Sequence, residues 1–180
     1  MVDLREAEQH AKTGKRAYQR KDYPAAASAF DGAAQSYAAQ GDEITAAEMR
    51  NNQSVALLQS GDPQAALDAV SGTEEIFAQA GDVLRQAMAL GNAATALEAL
   101  DQLEAAAEDY EKSADLFKEV GETQLRANVM QSLSAVQLRL GRRLQAIATM
   151  QAGLDGLEHP NARQRVAKKL LETPFKLMNR

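Results

Sequence analysis

The chain has 180 residues, no cysteine and a formal net charge of −5. This length allows one medium domain or four to five short repeats, and the missing cysteines exclude disulfides, thiolate metal sites and thiol nucleophiles. The acidic balance argues against nucleic acid as a partner.

A 40-residue period divides most of the chain into repeated units. Gly41, Gly81 and Gly121 stand 40 residues apart, and Asn161 occupies the next place. Glycine and asparagine tolerate the left-handed conformation that follows a helix C-terminus. The period predicts four units, at about residues 1–40, 41–80, 81–120 and 121–160.

Each unit divides into a helix A and a helix B, joined by a short turn. In chain order we predict helices near residues 3–20, 24–40, 42–60, 63–80, 82–100, 102–120, 122–140 and 142–157.

The turns between these helices contain capping residues. Asp42 and Asp82 directly follow glycines and suit the N-cap of the next helix. In the turn from Ser60 to Pro63 (SGDP), glycine closes one helix, aspartate caps the next, and proline takes its first position. Asp101 and Glu104 have the spacing of an aspartate version of the capping box, which predicts Asp101 as an N-cap.

A second series with the same period concerns helix B. Early in each helix B stands an alanine, followed four residues later by a larger apolar group. A small residue lets two helices approach closely beside a short turn, whereas a larger one would separate them at a cost of roughly 1–3 kcal/mol. The larger group one turn later fills the widening gap. The alanines are Ala26, Ala66, Ala106 and Ala146, and the larger groups are Phe30, Val70, Tyr110 and Met150.

This pattern, with a small residue three positions further on (Ala33, Thr73, Ser113 and Gly153), resembles the tetratricopeptide repeat family. The stretch Leu90-Gly91-Asn92 is also similar to that family's helix A. The period resembles the long-helix subclass of kinesin light chains and Pins-type adaptors. The resemblance covers residues 1–160 and implies an all-α, right-handed α-solenoid of about four helix-turn-helix repeats. HEAT and armadillo repeats have similar lengths and are the alternative.

We predict that residues 161–180 continue the register as a lone C-terminal capping helix. Repeat arrays need such a cap because an open last repeat exposes apolar surface. Pro174 predicts a break near Thr173. The segment holds six Lys or Arg residues against one acid, whereas residues 81–120 hold nine acids against three basic residues.

The family resemblance places part of each helix A on a concave, peptide-binding groove. Asparagine is a poor helix former, so several asparagines on these helices require a reason. Their amides could pair with an extended peptide backbone or could bridge adjacent helices, and the sequence leaves both open. Gly91 and Ala135 share this register. The predicted groove residues are Glu48, Asn51, Asn52, Val55, Met88, Asn92, Thr95, Asn128 and Gln131.

No motif predicts catalysis, a metal or a cofactor. His10 and His159 are the only histidines, they lie at opposite ends of the array, and no HExxH spacing occurs. The acidic stretch from Glu104 to Glu119 favours a solvated helix face over paired catalytic carboxylates. Phosphate loops, GxSxG motifs and Rossmann fingerprints are absent from the sequence.

We therefore expect a non-catalytic scaffold that binds a peptide or a helix of a protein partner of unknown identity in the concave groove. One alternative is self-association into a homo-oligomer through the array ends, with the basic tail against the acidic middle of another copy. Another is membrane-surface association through the tail, where the apolar stripe of Val166, Leu170 and Leu171 together with Lys168 and Lys169 makes a basic, amphipathic segment. No secretory signal core or apolar run of about 18 residues is present, so we expect a cytoplasmic location.

Overall fold

The computed structural model describes residues 4–155, 157, 160, 162, 164–166 and 169. Within this part of the chain, every regular element is helical and no strand occurs. The helices are α1 (Leu4–Gln19), α2 (Tyr23–Ala38), α3 (Glu43–Ser60), α4 (Pro63–Val70), α5 (Thr73–Gln79), α6 (Val83–Ala99), α7 (Leu103–Glu119), α8 (Thr123–Arg139) and α9 (Arg143–Asp155).

Each helix packs mainly against its neighbours along the chain, so the predicted all-α solenoid of helical repeats is confirmed. Numbered by the predicted units, α1, α3, α6 and α8 are the A helices. The B helices are α2, the α4–α5 pair, α7 and α9. This alternation places the A helices of successive units on either side of a B helix.

Aspartates cap α2, α3, α4 and α6, and the last three of these caps were predicted from the sequence. The side chains of Asp42, Asp62 and Asp82 accept hydrogen bonds from the backbone N–H groups three residues later, at 3.0, 3.1 and 2.9 Å. Asp22 caps α2 in the same way at 3.3 Å. Each bond satisfies one of the N–H groups that a helix start leaves without a partner.

Asp101 is not an N-cap, so this prediction was wrong. Its φ of 61° is left-handed, as are those of Gly61 and Gly141 at the same place in other units. The N-cap of α7 is Gln102, without a side-chain capping bond. Aspartate both caps helices and tolerates left-handed backbone, so the sequence pattern fitted two positions one residue apart. The Asp101 carboxylate instead accepts a 2.6 Å hydrogen bond from Arg139.

Helix B of the second unit is two helices, whereas the sequence predicted one helix over residues 63–80. Between α4 and α5, Ser71 has ψ 130° and Gly72 has a left-handed φ of 76°. The hydroxyl of Thr73 donates a 2.7 Å hydrogen bond to the carbonyl oxygen of Val70, which the end of α4 leaves unpaired. Serine, glycine and threonine are all weak helix formers, so three in succession favour this break.

The recurring alanines are buried as predicted, with Ala26, Ala66 and Ala106 at 0% exposure and Ala146 at 1%. Of the larger groups that follow them, Phe30, Val70 and Tyr110 are buried, and Met150 is half-buried. Three clusters of buried residues lie along the described part of the array. Their largest members are Phe30 in the first cluster, Phe77 in the second and Tyr110 in the third.

The predicted capping helix over residues 161–180 and its break near Thr173 lie largely outside the described residues. Among the described helices, none combines the length and the hydropathy that crossing a bilayer requires.

Candidate binding site

Among the described residues, two clefts between A helices stand out, and a B helix contributes to each. We call the first the α1–α3 cleft, which has a volume of about 280 Å³ and is completed by Phe30 of α2. The second is the α6–α8 cleft, which has a volume of about 260 Å³ and is completed by Tyr110 and Phe117 of α7.

The α6–α8 cleft has apolar walls with polar groups among them, and no lining residue is charged. Its residues with polar side chains are Asn92, Thr95, Asn128, Ser132 and Tyr110. Its other lining residues are Met88, Gly91, Phe117, Leu125 and Val129. An uncharged cleft with a few placed polar groups is typical of sites that bind an apolar side chain and orient it by hydrogen bonds.

Gly91 brings α6 close to α7 beside the α6–α8 cleft. A Cβ atom at this position would lie 3.3 Å from the Ser113 hydroxyl oxygen and 3.8 Å from Val129 Cγ2. The first distance is tighter than an ordinary van der Waals contact. Because Gly91 has no side chain, α6 can pack closely against α7, and part of the cleft stays unfilled.

Tyr110 forms one rim of the α6–α8 cleft through its hydroxyl group. This oxygen lies 3.0 Å from Glu98 Oε2 and 3.1 Å from Thr95 Oγ1, and its single proton can be donated to one of them at a time. Burial raises the pKa of Tyr110 to about 12, and the hydrogen bond with Thr95 acts in the opposite direction. The nearby Glu98 carboxylate raises the pKa further. Tyr110 therefore remains a neutral hydrogen-bond donor at neutral pH.

The α1–α3 cleft is more aromatic and includes a single charged lining residue, Lys15. Its other lining residues are Tyr18, Gln19, Phe30, Asn52 and Val55. The ring of Phe30 packs over Gly14 of α1, where an added Cβ atom would lie only 2.8 Å from the ring. This close packing fixes the aromatic side of the cleft.

The structure brings six of the nine predicted groove residues into these two clefts. Met88, Asn92, Thr95 and Asn128 line the α6–α8 cleft, together with the predicted Gly91. Asn52 and Val55 line the α1–α3 cleft. That these residues bind a ligand stays a prediction.

The other three predicted groove residues line neither cleft. Asn51 is buried, and its side-chain oxygen accepts a 3.4 Å hydrogen bond from the amide of Asn92. Glu48 forms a 3.2 Å salt bridge with Arg85. Gln131 is exposed, as is Ala135. The bond between Asn51 on α3 and Asn92 on α6 corresponds to the helix-bridging alternative that the sequence left open.

Sequence reasoning missed the lining residues that come from helix B. Tyr110 and Phe30 belong to the recurring apolar series, which indicated core packing alone. The sequence signal was present for Leu125 and Ser132, because they lie three residues before and four residues after Asn128 on the same helix face. The distance between two A helices decides whether such residues border a cleft, and the sequence of one helix does not specify it.

Within the described residues, no group of three or more His, Cys, Asp or Glu side chains could hold a metal ion. His10 is half-buried, and its Nδ1 atom lies only 2.5 Å from the position that a Cβ atom at Gly32 would take. His10 therefore serves helix packing between α1 and α2.

These features define an α-helical repeat protein with clefts between its A helices that are large enough to hold a side chain of a ligand. A family model for soluble NSF attachment protein (SNAP) matches residues 4–152, which is more than half of the chain. The chain therefore belongs to the soluble NSF attachment protein family, a helical family of non-catalytic adaptors that bind protein partners. No curated protein matches the chain.

Proposed function

We propose that this chain is a non-catalytic scaffold that binds an extended peptide segment of a protein partner in the α6–α8 cleft. The observation that carries the proposal is an uncharged cleft with apolar walls and an amide on each side, Asn92 from α6 and Asn128 from α8. Apolar burial would contribute about 25 cal/mol per Å². Each amide can pair with both the donors and the acceptors of a peptide backbone.

The two asparagines differ in how firmly they are held. Asn92 is half-buried and uses one of its two amide N–H donors for Asn51. This bond orients the side chain at the wall of the cleft. Asn128 is exposed and accepts a 3.0 Å hydrogen bond from Gln124 on its own helix. Asn128 can therefore turn toward a ligand at little cost to the packing.

Family membership supports the general part of the proposal. The family's name describes attachment to the protein NSF, and we carry over to this chain only attachment to a protein partner. We also propose that the repeats are of the tetratricopeptide type, in the long-helix subclass, and that the protein works in the cytoplasm.

Selection of displayed random dodecapeptides on the purified array tests this function. Selected peptides are then titrated by calorimetry against the parent, Asn128→Trp and Glu111→Trp. Asn128→Trp fills the cleft from an exposed position, whereas Glu111 is exposed on α7 and does not line the cleft. We expect at least about tenfold weaker binding to Asn128→Trp, a loss of roughly 1.4 kcal/mol, and parent-like binding to Glu111→Trp. Equal binding to all three proteins would contradict the proposal.

A second candidate function, self-association, is favoured by the exposed apolar side chains near the end of the array. Leu144 is 84% exposed, Leu138 55% and Ile147 50%. An apolar end-to-end contact would persist in high salt, whereas docking of the basic tail on the acidic middle of another copy would weaken.

Sedimentation velocity of the parent, Leu144→Asp and the neighbouring control Gln145→Asp tests the apolar contact. Only Leu144→Asp should remove a dimer. A parent that stays monomeric at high concentration rules the contact out.

A membrane-surface role for the tail stays a prediction, because most of its basic and apolar side chains lie outside the described residues.

A further inference from the structure

We infer that the partner is one extended peptide with two anchor side chains about five to six residues apart, one for each cleft. This inference rests on the proposed binding in the α6–α8 cleft and adds the α1–α3 cleft as a second site for the same peptide.

The two clefts occupy equivalent places in the repeat array. Lys15, Phe30 and Asn52 line the α1–α3 cleft, and the residues 80 positions later, Thr95, Tyr110 and Ser132, line the α6–α8 cleft. An offset of 80 residues equals two repeats. The clefts therefore repeat along the array and can be reached by one ligand that runs across the A helices.

Direct contacts between α3 and α6 cross the region that separates the two clefts. The salt bridge between Arg85 and Glu48 joins these helices at 3.2 Å, and the amide of Asn92 bonds to Asn51. A peptide would pass over these polar links and would insert its anchors on either side of them.

The anchor spacing follows from the packing distances. Neighbouring A helices at the usual helix spacing of about 8–10 Å separate equivalent points two repeats apart by about 16–20 Å. An extended peptide advances about 3.3 Å per residue. Five to six residues of extended chain therefore span the distance between the clefts.

The lining residues indicate which side chains would fit as anchors. The α6–α8 cleft is uncharged, and the exposed, flexible Met88 adapts to an aliphatic side chain such as leucine or methionine. The α1–α3 cleft has the aromatic rings of Tyr18 and Phe30 beside Lys15, which forms no salt bridge with another described residue. This cleft fits a second apolar anchor with an acidic residue next to it, because Lys15 would attract the carboxylate.

Linking two weak anchors on one chain raises the overall affinity only when the linker matches the span. The probes are therefore synthetic peptides in which Asp-Leu and a second Leu are separated by two to ten Gly or Ser residues, in both chain directions. Their affinities for the ¹⁵N-labelled full chain are measured by NMR titration. The control peptide carries Ser in place of the second Leu.

We expect the highest affinity with four to five residues between the anchors, at least about tenfold above the control peptide. Affinity that does not depend on linker length, or that never exceeds the control, overturns the inference.

Variants distinguish this inference from the single-cleft proposal. Asn128→Trp fills the α6–α8 cleft and Gln19→Trp fills the α1–α3 cleft, both from exposed positions, with Glu111→Trp as the control. Each filling variant should reduce the affinity of the best two-anchor peptide to that of a single-anchor peptide. A loss with Asn128→Trp alone overturns the two-anchor inference and leaves single-cleft binding intact. No loss with either variant contradicts both.

Charge reversal tests the acidic neighbour of the second anchor. Lys15→Glu should weaken binding of the Asp-Leu peptides several-fold and should have little effect when their Asp is replaced by Asn. Arg16→Glu makes the same charge change one residue away, at an exposed position that does not line the cleft. Equal effects of the two variants would show that Lys15 has no specific contact with the peptide and would overturn this part of the inference.

Discussion

The hydroxyl of Ser113 donates a 2.7 Å hydrogen bond to the backbone carbonyl oxygen of Ala87, and both residues are completely buried. The bond joins α7 to α6 beside Gly91, next to the α6–α8 cleft. It shows a second role for the small residue of this helix B. Serine is small enough for close helix contact and also pairs with the backbone of helix A.

Ser113→Ala should lower the free energy of unfolding by about 0.5–1.5 kcal/mol, the usual net contribution of one hydrogen bond. The matched control is Ser28→Ala at an exposed position of α2, which should change stability by less than about 0.5 kcal/mol. Urea unfolding followed by circular dichroism measures both variants. A similar effect of the two substitutions would show that the buried bond contributes nothing specific.

Leucine substitutions along α7 test the close-contact series. Ala106 and Ala107 are both buried, at 0% and 3% exposure, whereas Ala105 is exposed. Ala106→Leu should cost about 1–3 kcal/mol through overpacking, and Ala107→Leu should also be destabilising. Ala105→Leu should stay within about 0.5 kcal/mol of the parent. The 40-residue register singles out Ala106, whereas the structure buries Ala107 as well. Thermal melts that rank Ala105→Leu with the other two would contradict the packing.

Much of the fold could be predicted because its signals are local in the sequence. The glycines that follow helices and the aspartates that cap them lie within a few residues of the turns that they form, as at Gly61 and Asp62. The two errors were also local. Asp101 belongs to a residue type that suits two adjacent positions, and Gly72 ends a helix that its flanking residues would otherwise continue.

The clefts were harder to predict because they depend on contacts between repeats. Asn51 on α3 and Asn128 on α8 were both predicted to line the groove. Asn51 is buried and bonded to Asn92, whereas Asn128 is exposed. The partner of Asn51 is 41 residues away. Without the spacing between α3 and α6, the sequence could not distinguish an asparagine that bridges helices from one that faces a ligand.

Gly72→Ala should lower the free energy of unfolding by about 1–2 kcal/mol, because its left-handed φ of 76° is unfavourable for a residue with a Cβ atom. The adjacent control is Ser71→Ala, whose φ of −56° suits alanine. Chemical unfolding measures both. A stabilised Gly72→Ala would mean that α4 and α5 merge into one helix, and the crystal structure of that variant would show it.

Tyr110 should make stability depend on pH in the alkaline range. Its pKa is raised to about 12 in the folded state, mainly by burial, against about 10 in an unfolded chain. Between these values the unfolded chain loses the proton first, so unfolding becomes easier as the pH rises from about 10 toward 12. The loss amounts to about 2–3 kcal/mol at most, and it is absent below pH 10, where both states keep the proton.

Absorbance titration of the phenolate checks the pKa of Tyr110. Tyr110→Phe should remove the highest-pH step from the titration curve and should flatten part of the alkaline decline in stability. The Tyr110 contribution is the difference between parent and variant, because Tyr37 also has a raised pKa, caused first by burial and then by Glu8. A variant curve that retains the highest-pH step would show that Tyr110 titrates normally.

The asparagines should separate stability from binding. Asn51→Ala removes the buried side chain that accepts a hydrogen bond from the half-buried Asn92, and the loss of this bond should cost about 0.5–1.5 kcal/mol of stability. Asn128→Ala should leave stability unchanged or slightly raise it, because alanine is the better helix former at this exposed position.

Binding should show the reverse order. With a peptide selected on the parent array, Asn128→Ala should weaken binding by about 1–3 kcal/mol if it leaves a peptide group unpaired in the complex. Raising the salt concentration should change that loss little, because no charged residue lines the α6–α8 cleft. Calorimetry at two salt concentrations measures the binding of the two asparagine variants, and urea unfolding measures their stability. If Asn128→Ala binds as the parent does while Leu144→Asp abolishes binding, the partner docks at the end of the array instead of in the cleft.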